Sequence, residues 1–299
     1  MPGHVPVLFS EVLEKLHLQA HDLVIDVTLG AGGHARGLLD AIGPDGRLLG
    51  FEADPRTLST TMTELAEARL VGVNNNFRDL ATVAAKHGFI NVSAILFDLG
   101  VSSMTLDEGQ RGFSFQQDGP LDMRFDPTQQ SLTAAEIVNT WSAAQLADIF
   151  VRYGEIHRPD SLIDMIVTRR HASPFQTTTD LAEAVASIWR RRGRAHPATT
   201  VFQALRLAVN DELGALASAL PQAVELLRPA GRLAVITFHS LEDRLVKQWG
   251  KQAAATGTID IITKHVIAPS RAEQQRNPRS RSAKLRIYQK KLIHQNTNE

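Results

Sequence analysis

The segment Asp26–His34 (DVTLGAGGH) carries an apolar run straight into three glycines and a histidine. Glycines directly after a strand let the backbone approach a ligand closely, and a helix that follows offers free N–H groups at its start. Nineteen residues past Gly33 stands Glu52, closing the next apolar run (RLLGFE). A carboxylate at that place can accept both ribose hydroxyls of an adenine nucleoside. A glycine loop alone also fits a plain tight βα connection; the acid at the end of the second run is what points to a nucleoside cofactor. Two cofactor classes remain, a nicotinamide or flavin dinucleotide and S-adenosylmethionine. The glycine spacing is not G-x-G-x-x-G, which favours the second.

The elements that must hold this loop can be read from the hydrophobic pattern. Leu23–Leu29 reads as a buried strand, His34–Ile42 as a helix and Gly43-Pro44-Asp45-Gly46 as a turn. Arg47–Glu52 is a second strand, with Pro55 suited to the first turn of the next helix. Leu70–Val73 and Ala94–Asp98 are strands three and four, with a helix near Asp79–His87 between them. This alternation specifies a parallel, doubly wound α/β sheet. The next convincing strand is Gly231–Phe238, far more than the dozen or so residues a crossover needs. Helical patterns fill the surplus near Ala134–Val138, Ala143–Tyr153, Ser161–His171, Thr179–Arg191 and Thr200–Leu227. The expected organisation is a sheet domain of residues 1–104 and 198–299, with an inserted helical domain at 105–197. The helix after Pro197 would return the chain to the sheet. Leu241–Lys251 is a further expected helix. Ile259–Thr263 and Leu285–Gln289 read as a closing antiparallel pair joined by a polar, Arg-rich loop. Such a pair suits an adenosylmethionine-dependent methyltransferase sheet better than a dehydrogenase half.

Composition narrows the chemistry further. The 299 residues contain no cysteine, which excludes disulfides, cysteine zinc sites, thiol nucleophiles and methylation through a cysteine adduct. Net charge is zero, but residues 1–150 hold 9 Lys/Arg against 19 Asp/Glu, whereas 151–299 hold 23 against 13. A basic half is an expected footprint of a polyanionic partner, although a solvated charged surface gives the same count. No apolar run is long enough to span a bilayer, and the N-terminal MPGHVPVLFSEVLEKL lacks a leader pattern. The expected address is the cytoplasm, with no membrane association.

Nine blocks in order then carry a resemblance: HVPVL (4–8), TLGAGGH (28–34), DLGVSS (98–103), RGFSF (111–115), DGPLDMR (118–124), HPAT (196–199), FQALR (202–206), FHSLEDR (238–244) and NPRSRSAKLR (277–286). From His4 to about Arg286 the chain resembles the 16S ribosomal RNA (cytosine-N4)-methyltransferase family. The resemblance implies a Rossmann-like class I methyltransferase sheet with an inserted helical, substrate-recognising domain. It also implies S-adenosylmethionine as cofactor and methylation of a cytidine N4 amine in the decoding region of 16S ribosomal RNA, within the small subunit. Gly32, Gly33 and His34 would contact the cofactor through the loop, Glu52 its ribose, Phe77 its adenine, and Asp98 would sit beside it. This chain departs from the family in two places. Glu52-Ala53-Asp54 stands where Asp-Arg/Lys-Asp is usual, and Thr105 occupies a position usually held by Gln.

The implied chemistry assigns further roles. An exocyclic cytosine amine is a poor nucleophile, and Asp98 is the expected acceptor near the amine or the cofactor's positive end, with a cap of the loop through Gly100 and Ser102 as the alternative. His239, directly after strand five, is the expected proton relay, with a structural histidine as the alternative. Phe113 and Phe115, in a loop Gly109–Phe125 that could cover the base, are candidates for stacking or for packing. Arg190, Arg191 and Arg192 with Arg194, and Arg276, Arg279, Arg281 and Lys284, are expected phosphate contacts. No metal is needed, because a sulfonium methyl is already activated. A dinucleotide-dependent oxidoreductase and a non-catalytic RNA-binding assembly factor are the rival readings.

Overall fold

The computed structural model describes residues 6–101, 105–106, 108–189 and 196–292. Seven strands form one sheet: β1 Leu23–Asp26, β2 Arg47–Glu52, β3 Leu70–Asn74, β4 Val92–Asp98, β5 Leu227–Thr237, β6 Ile259–Ile261 and β7 Lys284–Lys290. Their spatial order is β3-β2-β1-β4-β5-β7-β6. The first five pair in parallel, while β7 runs antiparallel to both β5 and β6. The chain order reverses between β1 and β4, so the crevice beyond their carboxyl ends is where such a sheet binds ligands. Both acids of interest, Glu52 and Asp98, end their strands on that edge.

Period-two alternation sorts the strand residues between two cores. Ile25, Ile95 and Phe97 join one face with α4 (Leu80–Lys86), α10 (Glu212–Leu226) and α11 (Ser240–Ala255). Val24, Ala94 and Leu96 join the other with α1 (Phe9–Leu16) and α2 (Gly33–Ile42). Helix α3 (Pro55–Leu65) begins with Pro55 after an Asp54 cap that accepts the Arg56 N–H at 3.0 Å.

The chain divides into two compact units, Met1–Gly100 with Leu213–Glu299, and Val101–Glu212. The second unit holds α5 (Ala134–Thr140), α6 (Ala143–Arg152), α7 (Asp160–Ala172), α8 (Thr178–Ile188) and α9 (Thr199–Asn210) around its own apolar cluster. The sequence placed the boundary near residue 198 and ran a single helix through 200–227. Instead the chain breaks at Asp211, whose φ is 45°. Helix α9 then packs within the helical unit, because Asn210 donates to the Met123 carbonyl at 2.8 Å and accepts the Phe125 N–H at 2.9 Å.

Other differences are local. Strand β1 ends at Asp26 rather than Leu29, because the Asp26 carboxylate accepts the Thr28 N–H at 3.0 Å and turns the chain. The Pro229-Ala230-Gly231 turn lies inside β5, where the pairing with β4 shifts between Val92 and Ala94 and Ala230 takes a φ of 62°. The Arg-rich connection contains a short helix, α12 (Arg271–Arg276), and a 3₁₀ turn at Pro278–Ser282. Helix α1 had no sequence expectation. It starts after Leu8 in the left-handed region, and the Leu8 N–H is bound by Glu273 at 2.8 Å.

Candidate active site

The glycine loop is fastened where it leaves the sheet. Leu29 donates to the Phe51 carbonyl at 2.8 Å, and Thr61 Oγ1 donates to the Gly30 carbonyl at 2.6 Å. Gly30 and Gly32 have φ of 50° and 74°, which side-chain-bearing residues rarely adopt. A Cβ on Gly32 would also lie 2.8 Å from Leu65 Cδ1. The turn therefore requires glycine at position 32, which also precedes the first residue of α2.

Glu52 reaches across to this loop. Its Oε2 accepts the Gly30 N–H at 3.0 Å and its Oε1 accepts the Asp54 N–H at 2.9 Å. Each oxygen retains acceptor capacity, so the carboxylate both shapes the loop and can take a diol. Burial pushes its carboxyl up to about 7, against the pull of those two N–H groups. Asn74 Nδ2 pins the Glu52 and Ala53 carbonyls, both at 3.0 Å. Phe77 opens a 3₁₀ turn after β3, with its ring edge-on to Phe97 at 5.7 Å.

At the end of β4, the Asp98 N–H is bound by Thr28 Oγ1 at 2.7 Å. His34 Nε2 lies 3.5 Å from Asp98 Oδ2, and its side chain is only 4% exposed. Asp98 Oδ1 is buried and has no hydrogen-bond partner among the described residues. Asp26, also buried, completes the group; desolvation pushes its carboxyl up to about 6. The sequence reading missed Thr28 and Asp26 as site residues. Both stand in the same glycine-loop segment, but nothing in their spacing signals the cross-strand bond to Asp98.

His239 caps α11. Its Nδ1 accepts the Glu242 N–H at 3.4 Å, while Glu242 Oε2 takes the Phe238 and His239 N–H groups at 2.8 and 3.3 Å. Nε2 lies 3.0 Å from Glu242 Oε1.

The remaining candidates separate. Thr105 is buried and assigned to the helical unit. Arg190, Arg191, Arg192 and Arg194 lie outside the described residues. Arg276, Arg279 and Arg281 are exposed on α12 and the turn after it. Lys284 differs: its ammonium binds Asp243 at 3.0 Å, a carboxylate that Arg286 shares at 2.8 Å. Phe113 and Phe115 are packing residues of the helical unit. Phe113 stacks on Phe125 at 5.5 Å, and Phe115 meets Phe202 at 4.9 Å and His196 at 4.8 Å. The loop they belong to is tied down, with Arg124 bidentate on Asp122 and Arg111 on the Arg124 and Phe125 carbonyls.

A sheet in this order, with a glycine loop after β1 and acids ending β2 and β4, defines a class I methyltransferase. The chain belongs to the MraW methylase family, whose model matches residues 1–291. It is 50% identical over 301 residues to the ribosomal RNA small subunit methyltransferase H of Thermomicrobium roseum, covering 95% of this chain and 92% of that one. Proteins of the same name from Elusimicrobium minutum and Dehalococcoides mccartyi are 44% and 43% identical. These cover 96% and 95% of this chain, and 98% and 85% of their own length.

Proposed function

We propose that this protein transfers a methyl group from S-adenosylmethionine to the exocyclic N4 amine of a cytidine in the decoding region of 16S ribosomal RNA, within the small subunit and in the cytoplasm. The observation that carries the reading is near full-length similarity to relatives named as ribosomal RNA small subunit methyltransferases. The site fits the cofactor on two counts: the turn at Gly32 that a Cβ would obstruct, and the Glu52 carboxylate, whose oxygens each keep acceptor capacity for a diol.

When bound, S-adenosylmethionine supplies a methyl group activated by its sulfonium, so no metal is called for. Gly32, Gly33 and the backbone of His34 form the loop that receives it, with Glu52 on the ribose and Phe77 beside the adenine. Thr105 is proposed as a further cofactor-binding residue, and the helical unit as the part that serves substrate recognition. Asp98 accepts an N–H of the target amine. That localises the nitrogen lone pair and fixes its direction, and alignment of this kind can contribute about 7–11 kcal/mol. His239 Nδ1 is already an acceptor within the α11 cap, which leaves Nε2 as a donor. The acceptor role therefore falls to Asp98, and His239 holds the end of β5. Arg276, Arg279 and Arg281, with the 190–194 cluster, bind RNA phosphates.

Labelled methyl transfer tests the reading. Small subunits from cells lacking the protein are offered beside free ribosomal RNA and DNA. Label on the subunits as N4-methylcytidine is the expected result. Label on DNA alone would overturn it.

A further inference from the structure

We propose that the His34 imidazole is a positioning residue, holding Oδ2 of Asp98 so that Oδ1 is left to receive an N–H donor from the bound cofactor or the target base. The proposal rests on the methyl-transfer reading above and adds a role for the His34 side chain.

Asp98 is fixed from two sides. Its backbone is set by Thr28, whose Oγ1 accepts the Asp98 N–H at 2.7 Å and donates to Asp26 Oδ1 at 3.3 Å. Its carboxylate faces His34, with Nε2 3.5 Å from Oδ2. The ring has little freedom to leave that position. It stacks on Phe9 at 5.9 Å, and Phe9 in turn lies so close to α2 that a Cβ on Gly37 would sit 2.4 Å from its Cζ. The outcome is a carboxylate with one oxygen facing the imidazole at 3.5 Å, a charge contact in which Nε2 has no closer hydrogen-bond partner among the described residues, and the other buried without a partner among them. A buried charged acceptor left unsatisfied is costly, and such orphans mark places where a ligand completes the bonding. A donor arriving at Oδ1 would find its acceptor already aimed.

Electrostatics agree with the geometry. Burial works to strip the His34 proton, but Asp98 from β4 and then Asp26 from β1 outweigh it, and the net effect raises the imidazole's proton affinity. The Phe9 ring from α1 and the Val7 backbone, which also face the imidazole, carry no charge.

Two measurements test the proposal. Ring resonances of His34 are titrated by NMR in the apoprotein, wild type and Asp98→Asn. The expected midpoint lies above the ordinary histidine value in wild type and falls in Asp98→Asn; equal midpoints would overturn the pairing. A double-mutant cycle of His34→Leu and Asp98→Asn is then read by single-turnover methyl transfer and by calorimetric cofactor affinity. His34→Leu should slow transfer or weaken binding about 100-fold, the double variant should be no worse than Asp98→Asn, and His34→Gln, which keeps a donor, should recover most of the loss. Loss confined to affinity identifies the cofactor as donor, and loss confined to rate identifies the target amine. Additive losses would show that His34 does not act through Asp98 and overturn the proposal. If His34→Leu does not fold, the apoprotein titration alone decides the pairing. Failure of wild-type methyl transfer counts against the functional reading, while the apoprotein titration still decides the pairing.

Discussion

Glu52 Oε2 accepts the Gly30 N–H at 3.0 Å, so the acid that would bind a ribose also fixes the loop that would receive the rest of the nucleoside. One residue couples two parts of the site, and its ionisation should be visible in binding.

Burial raises the Glu52 carboxyl to about 7. The ionised form is the better acceptor for a diol and for the loop N–H, so cofactor affinity should rise as pH passes upward through 7. Between pH 6 and pH 8 the ionised fraction grows about tenfold, and calorimetry should show a comparable gain in affinity. Glu52→Gln should bind weakly at both pH values with no such slope. An identical slope in the variant would place the titrating group elsewhere.

Gly32→Ala should be costly locally. The left-handed backbone costs about 1–2 kcal/mol for an L-residue, and the added Cβ meets Leu65 at 2.8 Å. We expect a thermal midpoint lowered by a few degrees and cofactor affinity lowered at least tenfold by displacement of the loop. Unchanged affinity by calorimetry would mean that the turn does not touch the cofactor.

His239 was legible as a residue on the ligand edge of the sheet, but its cap role was not. Asparagine is a good N-cap without an imidazole. His239→Asn should therefore keep stability within about 1 kcal/mol in denaturant unfolding and keep the single-turnover rate. A large rate loss at unchanged stability would return His239 to the chemistry.

The basic tail should divide by partner. Arg279→Glu with Arg281→Glu should weaken RNA binding and lower the salt slope by about 1 for each phosphate no longer neutralised. Lys284→Ala should instead leave RNA affinity and slope intact, because Asp243 already holds that ammonium. A filter-binding salt titration separates the two; a slope change in Lys284→Ala would show that Asp243 releases it to RNA.

The sheet was readable because burial on both faces leaves strong apolar runs, as in Val92–Asp98, and because Glu52 and Asp98 end theirs. The break at Asp211 was not, since Thr200–Leu227 keeps a helical pattern through it and a non-glycine residue takes the left-handed turn. Helix α12 was hidden by its polar composition; a Ser270 cap on the Glu273 N–H at 3.1 Å starts it without an apolar stripe. In the site, Gly32, Glu52 and Asp98 were marked by motif and strand end. The Thr28–Asp98 and His34–Asp98 relations cross between elements, so sequence spacing carries no trace of them. Phe113 and Phe115 could not be assigned to bases or core from type alone; their ring contacts assign them to packing.

The most direct test of methyl transfer through Asp98 is nucleoside mass spectrometry of small-subunit RNA from cells lacking the protein, complemented with wild type or with Asp98→Ala. N4-methylation of cytidine should be restored by wild type and absent with Asp98→Ala at equal protein level. Restoration by Asp98→Ala, or no change in any cytidine N4 modification with wild type, would contradict methyl transfer through Asp98.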